Sequence, residues 1–355
     1  MTLRVAVVGL GWAARSIWLP RLSGHPAYTL ASVVDPSSRA RAEFAAGNTR
    51  VAMLADVAEL DPASVDLVII AVPNHLHCGI ACALLTRGFA VFVEKPLCLS
   101  SEEAQLLTEA ERAGAGVLLG GSAAKYRADI RACHELTATL GRIRHLELAW
   151  VRSRGVPGTG WFTSRALAGG GALVDLGWHL LDTISAMLGP VEVEQVLSTL
   201  SADFLGEQDS RAAWRRDEKQ GVRPADVEDT VRAFLLTRDG VSISLRASWA
   251  SHDPYDSTTL KVDGSAGTVT LACTFGFSPL RLPGSALHLT RNGDRVPVAV
   301  PDEPVGIEYQ RQLDHLPALL VDPESRGEAA REAGWTIGVI ERVYRSAVAV
   351  APACL

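Results

Sequence analysis

Three side chains in this 355-residue chain are of the types that act together on a hydroxyl group. Lys95 lies in Val91-Phe-Val-Glu-Lys-Pro96, directly after a short apolar run that reads as a strand. An ammonium there can hydrogen-bond an alcohol oxygen and steady the negative charge that develops as the alcohol is oxidised. Pro96 also permits a cis peptide after Lys95. The other two lie in Gly169-Gly-Gly-Ala-Leu-Val-Asp175-Leu-Gly-Trp-His179-Leu-Leu-Asp182. If that stretch is helical from Gly171 onward, Asp175, His179 and Asp182 share one face at i, i+4 and i+7. A carboxylate beside an imidazole sets its tautomer and raises its basicity, as a general base requires. Each segment has a plain alternative: a surface Glu–Lys pair beside a helix-starting proline, and a histidine satisfied within a core.

Oxidising an alcohol needs a hydride acceptor, and the chain opens on a site for one. Residues 5–14 read VAVVGLGWAA, a buried-strand pattern ending in G-x-G-x-x-A. Gly9, Gly11, Trp12, Ala13 and Ala14 form a turn whose backbone N–H groups can approach a pyrophosphate at a helix N-terminus. Asp35 closes the next apolar run, YTLASVVD, 24 residues after Gly11. That is close to the roughly 20-residue spacing at which a carboxylate reaches the adenosine ribose. Ligands on open parallel sheets bind beyond the C-terminal strand ends, so Glu94 and Lys95 are expected to face the cofactor crevice. Pro73, Asn74 and His77, at the end of the run before AVPNHLH, are expected to touch the ribose or nicotinamide; helix capping by Asn74 is the alternative. Trp12 and Trp18 either wall the nicotinamide pocket or pack the first helix. Lys125, Tyr126 and the loop Arg152–Trp161 are placed near the pocket on spacing alone, with Tyr126 and Trp161 as substrate contacts.

These residues need a scaffold, and the pattern supplies one. Up to residue 121 strand and helix signals alternate, with strands at 4–8, 29–34, 67–71, 90–93 and 117–119 and helices at 12–23, 38–46, 76–87 and 101–113. That alternation predicts βαβ units and a parallel sheet, and with the glycine turn a dinucleotide-binding domain over 1–121. After a helix near 125–138 come longer strands at 143–151, 190–198, 229–237, 241–249, 258–263 and 267–273, then helices at 306–319 and 326–347. Residues 122–355 therefore read as an α+β domain with a mostly antiparallel sheet. The polar stretch from Ser201 to Ala225 is a long, highly charged loop.

Composition narrows the class. A net charge of −6 and a pI near 5.9 argue against nucleic acid or an anionic membrane as partner. No run of 18 apolar residues is present, and the opening residues enter a strand instead of a cleavable signal, which points to the cytoplasm. The cysteines at 78, 82, 98, 133, 273 and 354 include no C-x-x-C pair and predict no metal site. Of 34 basic residues only Lys95, Lys125, Lys219 and Lys261 are lysine, an arginine bias typical of high-GC coding. A lysine retained against that bias suits a task that uses its proton.

In order along the chain, GLGWAA, AVPNHLH, VEKPL and GGGALVDLGWHLLD resemble the motifs of the Gfo/Idh/MocA family, which includes glucose-fructose oxidoreductase and inositol dehydrogenase. GSAGTVTL and VIERVYRSA extend the resemblance over nearly the whole chain. It implies a Rossmann domain followed by an open-sheet domain through which members dimerise or tetramerise. Carried over by position, Lys95 is the EKP lysine at the reacting hydroxyl, and Asp175 and His179 are the family's acid and histidine, with His179 the proton acceptor. Gly9, Gly11 and Ala14 line the pyrophosphate, and Asp35 holds the ribose. Asp35 favours NAD by repelling a 2′-phosphate, while Ser37, Ser38 and Arg39 leave NADP open. Ala124-Lys125-Tyr126-Arg127 departs from the Arg-Phe pair of many relatives, so substrate contacts there do not transfer.

The expected activity is NAD(P)-dependent interconversion of a secondary hydroxyl and a ketone on a sugar, amino sugar or cyclitol, by an ammonium from one half of the chain and an imidazole from the other. Asp203, Glu207, Asp209, Asp226, Glu228 and Asp229 suggest a cationic substrate, as in aminoglycoside or other antibiotic sugar biosynthesis; a solvated loop is the plain alternative. The rival functions are a non-catalytic NAD-binding regulator and a redox-neutral NAD-dependent glycosidase.

Overall fold

The computed structural model describes residues 2–158, 160–212 and 225–350, with side chains through 347. They divide into two compact units. The first comprises Met1–Ser122 and Tyr309–Trp335. Its sheet is built from β1 (Leu3–Val8), β2 (Tyr28–Val34), β3 (Ala52–Leu54), β4 (Leu67–Ile70), β5 (Val91–Val93) and β6 (Leu118–Gly120), in the order β3-β2-β1-β4-β5-β6. Every neighbouring pair is parallel. The crossover elements include helices α1 (Leu19–Ser23), α2 (Ser38–Ala45), α3 (His77–Thr86) and α4 (Ser101–Ala113). Strands β4 and β5 are buried throughout, which is why they read as unbroken apolar runs. The strand order reverses between β1 and β4, and the loops after these two strands carry GLGWAA and AVPNHLH. Such a reversal is where open α/β sheets bind ligands.

The second unit comprises Ala123–Glu308 and Thr336–Leu355. Its eight strands are β7 (Ile143–Val151), β8 (Val193–Ser201), β9 (Thr230–Thr237), β10 (Ser242–Ser248), β11 (Ser257–Gly264), β12 (Gly267–Cys273), β13 (Ala286–Arg291) and β14 (Asp294–Val298). They run in the order β14-β13-β12-β11-β7-β10-β9-β8, antiparallel except for the β7–β10 pair. The alternation legible in β7 puts Leu146, Leu148 and Trp150 in the core, on the face packed by α7 (Trp178–Leu188). The opposite face exposes Leu197 and Phe234. The short helix Arg165–Ala168 precedes the triple glycine, and α5 spans Ala128–Thr137. The Arg165–Ala168 helix, α6, forms a single turn.

Three features differ from the sequence expectation. Strand β3 and the hairpin β13–β14 were not anticipated. The hairpin had a signal, Asn292-Gly293, whose φ values of 51° and 89° suit a two-residue turn between strands. Second, Tyr309–Trp335 packs in the first unit, whereas a single cut at residue 122 puts it in the second. Its polar atoms account for this: the Tyr28 hydroxyl donates to Leu313 O, Gln312 Nε2 to Gly120 O at 3.0 Å, and Gly327 N to Glu111 Oε2 at 2.9 Å. Periodicity identifies a helix with an apolar face but not the surface that face meets. Third, two helical stretches contain π-helical segments, Ala14–Trp18 and Leu173–Gly177. Cys78, Cys98, Cys133 and Cys273 are buried and Cys82 is half-buried, with no disulfide among these described cysteines, while Cys354 lies outside the described residues. No described helix is long and apolar enough to cross a membrane.

Glu111 is buried, and its other oxygen accepts from Leu118 N at 2.8 Å, so one carboxylate ties α4, β6 and the returning segment together. Replacing it with alanine strands two N–H groups, each at a cost of about 1–3 kcal/mol where it stays buried. Glu111→Ala should therefore lower the thermal midpoint by several degrees, and Glu111→Gln, which keeps one acceptor, by less; circular dichroism melts read both.

Candidate active site

The glycine turn in the first unit is shaped by two different needs. Gly9 has φ of +94°, and a Cβ there would lie 2.5 Å from Ala71 O, so only glycine lets β1 pass the end of β4. Gly11 is exposed, with nothing within 4 Å of the place a Cβ would take. Open space over a helix start is what a pyrophosphate requires. Ala14 is fully buried, and the backbone Arg15 N–H donates to Gly11 O at 3.0 Å. Asp35 Oδ2 accepts from Leu10 N and Oδ1 from Ser37 N, each at 2.8 Å, so the carboxylate belongs to the turn itself. Its remaining lone pairs suit ribose hydroxyls, and its charge opposes a 2′-phosphate. Ser37 Oγ is committed to capping α2 through Ala40 N, and Arg39 Nε lies 3.7 Å from Glu43. The residues present fit a dinucleotide.

The Lys95 segment is braced from below by buried polar groups. Lys95 is half-buried, and its peptide to Pro96 is cis. Glu94, expected to face the crevice, is buried: Oε1 accepts from Trp18 Nε1 at 2.8 Å and Oε2 from Lys95 N at 3.1 Å. Burial raises its carboxyl above the usual range, against the pull of Lys95 and the Trp18 N–H. Trp18 is fully buried and meets Phe92 edge-on at 4.9 Å, so it packs the first helix and walls no pocket. Trp12 and Ala13, by contrast, are half-buried. His77 is a correction to the expected cofactor contact. It is 1% exposed, with Nδ1 2.6 Å from Pro96 O and Nε2 2.9 Å from Val72 O. Burial pushes its pKa down, helped by the charge of Lys95. The ring is a strut between the loop after β4 and the loop after β5. Asn74 is buried at the start of a 3₁₀ turn, Asn74–Leu76, and Pro73 before it is half-buried. Gly121, which spacing did not single out, makes room for the segment: a Cβ there would lie 3.0 Å from Lys95 N and 3.1 Å from Glu94 Cα.

In the second unit the triple glycine allows a helix to start in the core. Gly169 takes φ of +85° to end α6. A Cβ on Gly170 would meet the Tyr344 hydroxyl at 1.9 Å, and one on Gly171 the Glu228 carbonyl at 1.8 Å. The buried helix start exposes N–H groups that need partners. Glu228 supplies them: Oε1 accepts from Leu173 N at 2.9 Å and from the Tyr344 hydroxyl at 2.9 Å, and Gly171 N lies 3.2 Å from both oxygens. Burial raises the Glu228 carboxyl above its ordinary range. Asp175 then sits in the π-helical segment and His179 in the first turn of α7. Asp175 is buried; its Oδ2 accepts from Trp249 Nε1 at 2.9 Å, with Arg152 Nη1 3.8 Å away. His179 is half-buried with Trp150 against its ring, centroids 5.4 Å apart. Trp161 is half-buried against Phe162, and Tyr126 is buried in a turn that packs on α7.

The acidic patch expected to greet a cationic substrate is partly dissolved by this geometry. Glu228 and Asp229 point inward, the latter accepting from Phe204 N at 2.6 Å, and Asp226 accepts from Arg165 N at 2.6 Å. Asp203, Glu207 and Asp209 are exposed, while 213–224 of the charged loop lie outside the described residues. Among the described residues no cluster of acids, histidines and cysteines could hold a metal.

Comparison with known proteins sets this geometry in context. Residues 3–120 match the family model described as the Gfo/Idh/MocA oxidoreductase family, NAD-binding Rossmann fold, and residues 131–270 match the Gfo/Idh/MocA C-terminal domain. The chain is 51% identical over 348 residues to a putative UDP-kanosamine synthase oxidoreductase subunit of Amycolatopsis mediterranei, covering 98% of this chain and 96% of the relative. The crystal structure of GenD2 from gentamicin A biosynthesis, in complex with NAD, aligns with TM-score 0.76 and 27% identity over 98% of this chain and 94% of that one. The aldose-aldose oxidoreductase of Caulobacter crescentus shares the fold, with TM-score 0.79 at 22% identity and complete coverage of both chains.

The raised Glu228 carboxyl has a measurable consequence. Its folded-state pKa lies above the unfolded one, so its contribution to stability is full below the ordinary carboxylate range and is lost as pH rises through the raised value. Thermal midpoints measured from about pH 4 upward should fall in the wild type relative to Glu228→Gln; parallel curves would contradict the assignment.

Proposed function

This chain belongs to the Gfo/Idh/MocA oxidoreductase family and carries its NAD-binding Rossmann domain, and from that premise we propose that it oxidises a secondary hydroxyl of a nucleotide-linked hexose to a ketone during amino-sugar formation. The supporting observation is the 51% identity, over nearly the full length of both chains, to a protein named for UDP-kanosamine synthesis. Placing an amine on a sugar carbon that bears a hydroxyl calls for a carbonyl there first. An oxidoreductase supplies that carbonyl by removing hydride from carbon and a proton from oxygen. The direction is therefore alcohol to ketone, and the acidic partner for the ribose, Asp35, suits NAD as oxidant.

The nicotinamide, when bound, accepts the hydride. The chain's own residues manage the oxygen and its proton. Lys95 donates a hydrogen bond to the hydroxyl oxygen and lowers the cost of its negative charge. His179 takes the hydroxyl proton, and Asp175 stabilises the imidazolium that results. Gly9, Gly11, Ala13, Ala14 and the Pro73–Asn74 backbone would hold the dinucleotide, with Trp12 toward its ring and Tyr126 and Trp161 toward the sugar. The exposed face of the eight-stranded sheet, with Leu197 and Phe234, is where two copies associate, as a homodimer or half of a tetramer. The exposed acids of the charged loop bear on an amino-sugar substrate, and the enzyme acts in the cytoplasm.

A panel of UDP-hexoses, free sugars, cyclitols and amino sugars should show NADH formation strongest with a UDP-hexose, with the ketone drawn off by a hydrazine. Lys95→Ala and His179→Ala should each lower kcat by at least about 10²-fold; near-normal turnover in both would remove the assignment. Asp35→Ser should raise the NADP to NAD preference by about tenfold or more, equivalent to 1.4 kcal/mol, read as the ratio of kcat/KM values.

A further inference from the structure

Trp249 is the first residue after β10, and neither a motif nor a spacing rule singles it out. It is fully buried, yet its indole N–H is spent on a side chain: Nε1 donates to Asp175 Oδ2 at 2.9 Å. A buried indole N–H needs an acceptor, and here the acceptor is an acid withdrawn from solvent, a costly group to bury unless its position serves a purpose. The ring is itself held firmly. Its backbone N–H donates to Asp229 O at 2.8 Å, and Phe162 packs against it with centroids 6.2 Å apart. The guanidinium of Arg152 lies 3.8 Å from the same oxygen and 5.0 Å over the ring of Trp150, which in turn packs on His179. Among the partners of Asp175 are thus a rigid neutral donor and a nearby cation.

We propose that Trp249 is a positioning residue for the reaction: its indole N–H aims the Asp175 carboxylate, so that His179 can take up the hydroxyl proton. The proposal rests on the role assigned above to Asp175 and His179. A neutral donor is the suited partner for this task. It fixes the carboxylate by geometry without cancelling its charge, whereas a second cation at bonding distance would blunt the field that the imidazolium needs. Arg152, more distant, compensates the burial of the acid.

The test compares Trp249→Phe with Asp175→Asn and their combination. Phenylalanine keeps an aromatic body and removes the donor. Trp249→Phe should lower kcat by roughly ten- to a hundred-fold, the range for losing a hydrogen bond to a charged group, with KM for sugar and for NAD within about twofold. Added to Asp175→Asn, the second substitution should cost less than about twofold more, because both remove the same effect. Unchanged kcat in Trp249→Phe, or losses that multiply in the double variant, would overturn the proposal. If phenylalanine leaves the protein unfolded by circular dichroism, benzothienylalanine at 249 repeats the test with a ring of the same shape and no N–H. Lys95→Ala and His179→Ala run alongside separate the two ideas. Activity surviving in those variants removes the reaction itself, whereas their inactivity beside a fully active Trp249→Phe removes only the role of Trp249.

Discussion

A helix that begins inside a protein core leaves backbone N–H groups with no partner, and the second unit is organised around meeting that need. The Glu228 carboxylate lies within reach of the N–H groups of Gly171 and Leu173, and the Tyr344 hydroxyl donates to it. A buried acid is expensive, and burial raises its pKa accordingly. The arrangement persists because the alternative, several orphaned N–H groups in the interior, is costlier. The glycines at 170 and 171 are the steric half of the same solution, since any Cβ there would overlap Tyr344 or Glu228. With its start fixed, the helix delivers Asp175 and His179 at defined positions.

The first unit uses the same device around Lys95. Glu94, His77 and Trp18 are polar or amphipathic side chains withdrawn from solvent: Glu94 bonds Lys95 N, His77 joins Pro96 O to Val72 O, and Trp18 holds Glu94. Asp35 does likewise for the glycine turn through Leu10 N. Fully satisfied buried polar groups rigidify their surroundings more than apolar contacts do, because each bond has a direction. Residues that the sequence offers as ligand contacts are thus spent on intramolecular bonds beside Lys95. This is a common way for a small set of reactive groups to be kept within the tolerance that catalysis demands.

The π-helical segment Leu173–Gly177 adds a constraint of its own. A wider turn changes the angular spacing along the helix, so positions four apart no longer stack as on a regular α-helix. Asp175 is turned toward Trp249 and Arg152, residues contributed by the strand ends of β10 and β7. Such wide turns are most frequent at functional sites, and the glycine-rich entry is what makes one affordable here.

The sequence by itself determined the alternation of strand and helix in the first 121 residues, the two-residue periodicity of the second sheet, the glycine turn with Asp35, and the candidates Lys95, Asp175 and His179. Each of these is a local signal: periodicity, a backbone conformation open only to glycine, or a reactive group at a strand end. Tertiary structure alone decided that Tyr309–Trp335 packs against the first sheet, that Glu228 and Asp229 point inward, that His77 braces two loops, and that Trp249 meets Asp175 across 74 residues of chain. A sequence states which groups can form a bond. Which partner they find depends on distant segments being brought within 3 Å, and on burial making an unpaired polar atom too costly to leave.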